Sequence, residues 1–138
     1  MIRVERTQDL PTCLTLRRIV FIEEQGVSQA EEVDGLDDGA LHLLAWVDSR
    51  PVGTARLLLT PDYGKIGRVC VLAEARGKGI GAALIRTALE VLRGQGARLA
   101  KLGAQTHALG FYEALGFTAE GPEYMDAGIP HRDMICPL

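Results

Sequence analysis

Three cysteines, Cys13, Cys70 and Cys136, are too few and too scattered for a disulfide framework, and no Cys/His cluster has the spacing of a zinc site. They read as free thiols, as expected in a reducing cytoplasm, and Cys70, inside an apolar run, reads as buried filler rather than a nucleophile. The chain has no basic surplus: its formal net charge is −3, with both signs dispersed. A nucleic-acid binder needs a basic stripe or excess, so no such partner is expected. No apolar run approaches the roughly 18 residues that cross a bilayer, so no membrane partner is expected either. The opening MIRVERTQDL alternates charged and apolar residues, unlike a secretory leader or transit peptide. What is present is 138 residues, 47% of them hydrophobic, which is one domain able to bury a sizeable core.

The informative stretch runs from Gly67 to Leu92. It reads as an apolar strand, a loop crowded with Arg76, Gly77, Lys78, Gly79 and Gly81, and a long apolar helix opening at Ile80. A glycine-rich turn into a helix leaves backbone amides without internal partners at the positive end of the helix dipole. Such a turn binds anions, most often phosphate. Glycines 77, 79 and 81 keep side chains out of the way, while Arg76 and Lys78 add charge or, on the plainer reading, only solubility.

Around this stretch, Ile2 to Arg6 alternates as an opening strand, and Asp9 caps a helix that tolerates Pro11 and ends at Gly26. Glu23 to Gly39 is acidic and reads as a solvated loop. Leu41 to Val47, Val52 to Thr60 and Lys65 to Leu72 form a β meander, with Asp48 to Pro51 as a hairpin turn. After the long helix come a strand from Arg98 to Leu102 and a short helix capped by Thr106 and stopped at Gly116. Strands at Phe117 to Glu120 and His131 to Cys136 follow. The order predicts a single α/β domain, with a mixed, mostly antiparallel sheet flanked by helices.

The ATP-type loop GxxxxGK[ST] is absent. A literal GxGxxA match at Gly77, Gly79 and Ala82 lacks the ribose-binding acid about 20 residues on, and it follows a meander rather than opening a βαβ unit. By contrast, Arg76-x-x-Gly79-x-Gly81 after the strand VCVL, followed by LGAQTHALGFYEALGF, resembles the GNAT family of acyl-CoA N-acyltransferases. VFIEEQGVSQAEEVDGLDD and GIPHRDM are similar to the branch that contains the ElaA and YjcF proteins.

The resemblance implies a gap between two splayed parallel strands. There, main-chain groups of Val69, Cys70 and Val71 hold the pantetheine arm of acetyl-CoA, and Arg76, Gly77, Lys78, Gly79, Ile80 and Gly81 hold its diphosphate. Gln105, Phe111 and Tyr112 border the same cofactor. It implies direct acetyl transfer to an amine of a small molecule or peptide, with no metal and with pairing into a homodimer as an option. Tyr112 is the candidate proton donor to the departing thiolate, or else only a packing aromatic. Glu23 or Glu24 is the candidate base; Glu24, Arg56, Arg68 and His131 are candidate acceptor contacts, with ion pairing to the acidic segment as the alternative for the two arginines. A CoA-binding sensor without turnover and an acyl-homoserine-lactone synthase-like enzyme are the competing functions.

Overall fold

The computed structural model describes residues 1–138. One seven-stranded sheet runs through it in the order β1-β2-β3-β4-β5-β7-β6. Its strands are β1 (Ile2–Thr7), β2 (Leu41–Val47), β3 (Arg50–Leu59), β4 (Gly64–Val71), β5 (Leu99–Gln105), β6 (Thr118–Asp126) and β7 (Ile129–Pro137). Every neighbouring pair is antiparallel except β4 with β5. The mixed, mostly antiparallel sheet and its flanking helices are those read from the element order.

Helix α1 (Leu10–Arg17) starts as predicted: the Asp9 carboxylate accepts from the Thr12 amide, and Pro11 occupies the first turn, where its missing N–H costs nothing. It does not run to Gly26 as one α-helix. At Arg18–Glu24 it widens into a π-helical turn, which puts Phe21, Glu24 and Gln25 on the cavity side. The one-turn helix α2 (Gln29–Glu32) follows, capped by Ser28.

Helix α3 (Ile80–Gly94) buries Ile80, Leu84, Ile85, Ala88, Leu89 and Leu92 on the sheet. It approaches so closely that a Cβ on Gly64 would lie inside the Leu92 side chain, and one on Gly53 would meet Leu84 at 3.1 Å. Those two positions need glycine for space. Helix α1 covers the opposite face, where Arg56 of β3 and Arg17 of α1 share the carboxylate of Asp37.

The second half departs from expectation in three places. Strand β5 continues past Leu102 to Gln105. Thr106 does not cap a helix; it opens a 3-10 turn, Thr106–Ala108, that leads into α4 (Leu109–Glu113). Strand β6 passes Pro122 and reaches Asp126, because β6 is an edge strand and the proline falls in an irregularity between Glu120 and Tyr124. The Arg132 guanidinium donates twice to the Gly121 carbonyl and holds that bulge.

Candidate active site

The parallel strands β4 and β5 pair only at Gly64 with Ala100 and at Lys65 with Lys101, and then part. The cause is in β4. Cys70 faces Thr54 and Gly67 faces Arg56, so Arg68 and Val69 together oppose the single residue Ala55. One extra residue in a strand bends it away from its neighbour. Arg68 takes φ 52° at that bulge, an uncommon conformation for a residue with a side chain. Its guanidinium holds the bend by donating to the Glu32 carboxylate at 2.7 Å and the Glu32 carbonyl at 3.0 Å.

The fork opens into a cavity of about 880 Å³. Gly67 to Val71 line one side, and Leu102, Gly103 and Gln105 the other. At one end stands the start of α3. Gly77 and Gly79 have φ 79° and 81°, no acidic side chain caps the helix, and the successive backbone amides from Gly77 through Ala82 donate to no turn, cap or side-chain acceptor. Ala83 is the first to bond back, to the Gly79 carbonyl. This is a cradle for an anion, with Phe111 lying 3.4 Å from where a Cβ on Gly81 would be.

Tyr112 lines the same cavity, its ring packed edge-on between Phe111 and Phe117, and its hydroxyl has no partner within the protein. Burial pushes its pKa up to about 12, so the phenol stays protonated at neutral pH. His131 also lines the cavity, stacked on Tyr124 at 5.9 Å. Gln105 is tied down: its amide nitrogen donates to Gln25, and its oxygen meets His107 at 2.6 Å. The Cys70 thiol is buried, with its pKa raised to about 12, so Cys70 can offer a ligand main-chain groups but no thiolate.

Several expectations change. The acidic segment is not a solvated loop. Arg17 bonds Glu32 and Asp37, Arg56 bonds Asp34 and Asp37, and Arg68 bonds Glu32 and Asp34. The result is a closed ring in which arginine and carboxylate alternate. Arg17 and Glu32 are only 1% and 4% exposed. Bonds from Arg56 hold the Asp34 carboxyl well below the usual range; burial opposes the same shift at Asp37, but Arg17 and Arg56 prevail. The ring therefore engages Arg56 and Arg68, which is the ion pairing that stood as the alternative reading for both, and both also line the cavity. Arg17 escaped the sequence reading, although its place among Cys13, Leu16 and Val20 on the buried face of the helix was a signal.

Glu23 is also corrected: it pairs with Arg18 in solvent and does not line the cavity. Glu24 does line it, but both its oxygens accept from Arg76, at 2.6 and 2.7 Å, and this pair holds its pKa down, making it a weak base. Arg76 spends its remaining Nε on the Val71 carbonyl, so its side chain ties the π turn to the end of β4. Lys78 sits outside the cavity, on a small groove with Asp48, Arg50 and Glu74, which leaves only its amide in the cradle. No group of His, Cys, Asp and Glu side chains is placed to hold a metal ion. No helix is long and apolar enough to cross a membrane.

The fork and its glycine cradle have relatives. The sequence model of the acetyltransferase (GNAT) domain matches residues 19–138. The N-acetyltransferase YjcF of Bacillus subtilis is 34% identical over 129 residues, covering 93% of this chain and 92% of that one. The crystal structure of Escherichia coli ElaA superimposes with a TM-score of 0.86 at 31% identity, covering 99% of each chain. An acyl-CoA N-acyltransferase from Pseudomonas aeruginosa gives 0.85 at 32% identity, again over 99% of each. The chain thus belongs to the GNAT acetyltransferase family and is an N-acetyltransferase.

Proposed function

We propose that this protein transfers acetyl from acetyl-CoA directly to an amine of a small molecule or peptide, without a covalent enzyme intermediate. The observation that carries the reading is the fork itself, with unpaired strand edges along its length, free amides at one end and a protonated tyrosine in its wall. The amide groups of a pantetheine arm match the edge of β4 at Val69, Cys70 and Val71 as an added strand would. The amides from Gly77 to Ala82 take the diphosphate, where the helix dipole favours negative charge.

Bound acetyl-CoA supplies a thioester whose carbonyl an amine attacks. Tyr112 gives its proton to the departing sulfur, a role open to it because the phenol is protonated at neutral pH and its hydroxyl has no partner. No nucleophile is needed: Cys70 is buried as a thiol, and Cys13 and Cys136 are buried elsewhere in the core. The retained tyrosine favours an enzyme over a CoA sensor. Thiol release from acetyl-CoA should be followed over a panel of amines such as spermidine, glucosamine and an unblocked tripeptide, with CoA affinity measured by calorimetry. Tyr112→Phe is expected to lower kcat by about 10²-fold while leaving CoA affinity unchanged. Undiminished turnover would reduce Tyr112 to a packing residue, and tight CoA binding without release for any amine would favour the sensor.

A further inference from the structure

With Glu23 in solvent and Glu24 held by Arg76, neither carboxylate is free to take the proton that the attacking amine must lose. We infer that His131 is the general base, acting through Nε2; the inference rests on the acetyl-transfer reading above. Three constraints fix this imidazole. Its Nδ1 lies 2.7 Å from the Ile129 carbonyl, which can only accept, so Nδ1 carries the proton in the neutral ring. The lone pair is thereby assigned to Nε2, which has no hydrogen-bond partner although only 9% of the residue is exposed. Tyr124 stacks on the ring with 22° between planes, and its own hydroxyl is anchored on Asp133 at 2.7 Å.

That anchor depends on Gly103, since a Cβ there would collide with the Tyr124 hydroxyl. The site is therefore built across three strands: His131 on β7 faces Tyr124 on β6 and Gln105 on β5. Besides Tyr124 and the buried Cys136, the ionisable groups of these strands and of the turn beyond β5 are Asp126 and His107, which line the cavity, and Lys101, Glu120, Glu123, Arg132 and Asp133, which do not. Asp133 is engaged by Tyr124 and His107 by Gln105, while Asp126 lines the cavity without a partner but is exposed, which leaves His131 as the buried base with an open lone pair beside the cavity.

The proton balance closes. The amine nitrogen bonds to the acyl carbon, its proton passes to Nε2 of His131, the carbon–sulfur bond breaks, and the sulfur receives the Tyr112 proton. Solvent then returns one proton to tyrosine and takes one from histidine.

The test does not need the natural acceptor. Bromoacetyl-CoA carries an alkylating carbon beside the thioester, and an unprotonated Nε2 displaces its bromide. In the full chain, mass spectrometry is expected to find the label on His131, while His131→Gln stays unlabelled and binds CoA within about twofold of the parent. Nitrogen NMR of the free protein should find the proton on Nδ1, and His131→Gln should slow thiol release to the best amine of the panel by about 10²-fold. Label on Glu24, or labelling unaffected by the substitution while CoA still binds, overturns the assignment, as does a proton resident on Nε2. Failure of CoA to bind would instead overturn the acetyl-transfer reading beneath it.

Discussion

Two sets of acid–arginine pairs flank the fork, and they are built for opposite ends. In the ring, each of Arg17, Arg56 and Arg68 touches two carboxylates, and each of Glu32, Asp34 and Asp37 touches two guanidiniums. Nε of Arg56 is left buried without a partner. The lone pair of Glu24 and Arg76, by contrast, is 40% and 43% exposed and lies beside amides with no partner at all. Identical functional groups thus give a fixed strut in one place and an exchangeable contact in the other. Burial and closure decide between them, because exposed pairs are worth little while a buried charge that loses its partner is costly.

The contrast can be broken first at the ring. Arg17→Ala opens the ring and leaves the buried Glu32 only the partly exposed Arg68, and the expected loss is about 3–5 kcal/mol in urea unfolding. A loss below about 1 kcal/mol would make the ring incidental.

Acid should come next. Asp34 and Asp37 titrate below the ordinary carboxylate value of 3.8, so the stability they contribute is fully present above that pH and drains away as pH falls through their lowered folded values. Unfolding monitored by circular dichroism should therefore show no ring-dependent loss between pH 7 and 5, with the loss confined below about pH 4. An onset near pH 6 would mean that other groups govern acid stability.

The smallest effect belongs to the exposed pair. Glu24→Gln should change folding stability by less than about 1 kcal/mol. It should leave CoA affinity equal or a few-fold tighter, because it removes negative charge beside the cradle. A large loss of CoA affinity would show that Glu24 supports the cofactor site.

These two regions also differ in how far they could be read from the chain. The cradle is local: glycines at 77, 79 and 81 and the helix start lie within a few residues, so backbone chemistry alone foretells an anion site. The meander and the flanking helices follow from periodicity in the same way. The ring is not local. Glu32 reaches Arg17 across 15 residues and Arg68 across 36, so the acidic run reads as a solvated face, and its pairing with Arg56 and Arg68 stands only as an alternative. The bulge at Arg68 is equally hidden, since the positive φ falls on Arg68 rather than on its neighbour Gly67 and depends on that distant carboxylate for its support. Strand β6 extends beyond what its sequence predicts because a proline argues against a strand until its place at the sheet edge is known.

The brevity of the β4–β5 contact has a mechanical meaning. One leaf of the molecule, β1 to β4, carries α1 and α3; the other, β5 to β7, carries α4; the ladder joining them is stitched at a single seam of residues 64–65 and 100–101. A molecule lying along the open length would suture the leaves, making a guest part of the scaffold, so that occupancy toughens the whole protein by mass action.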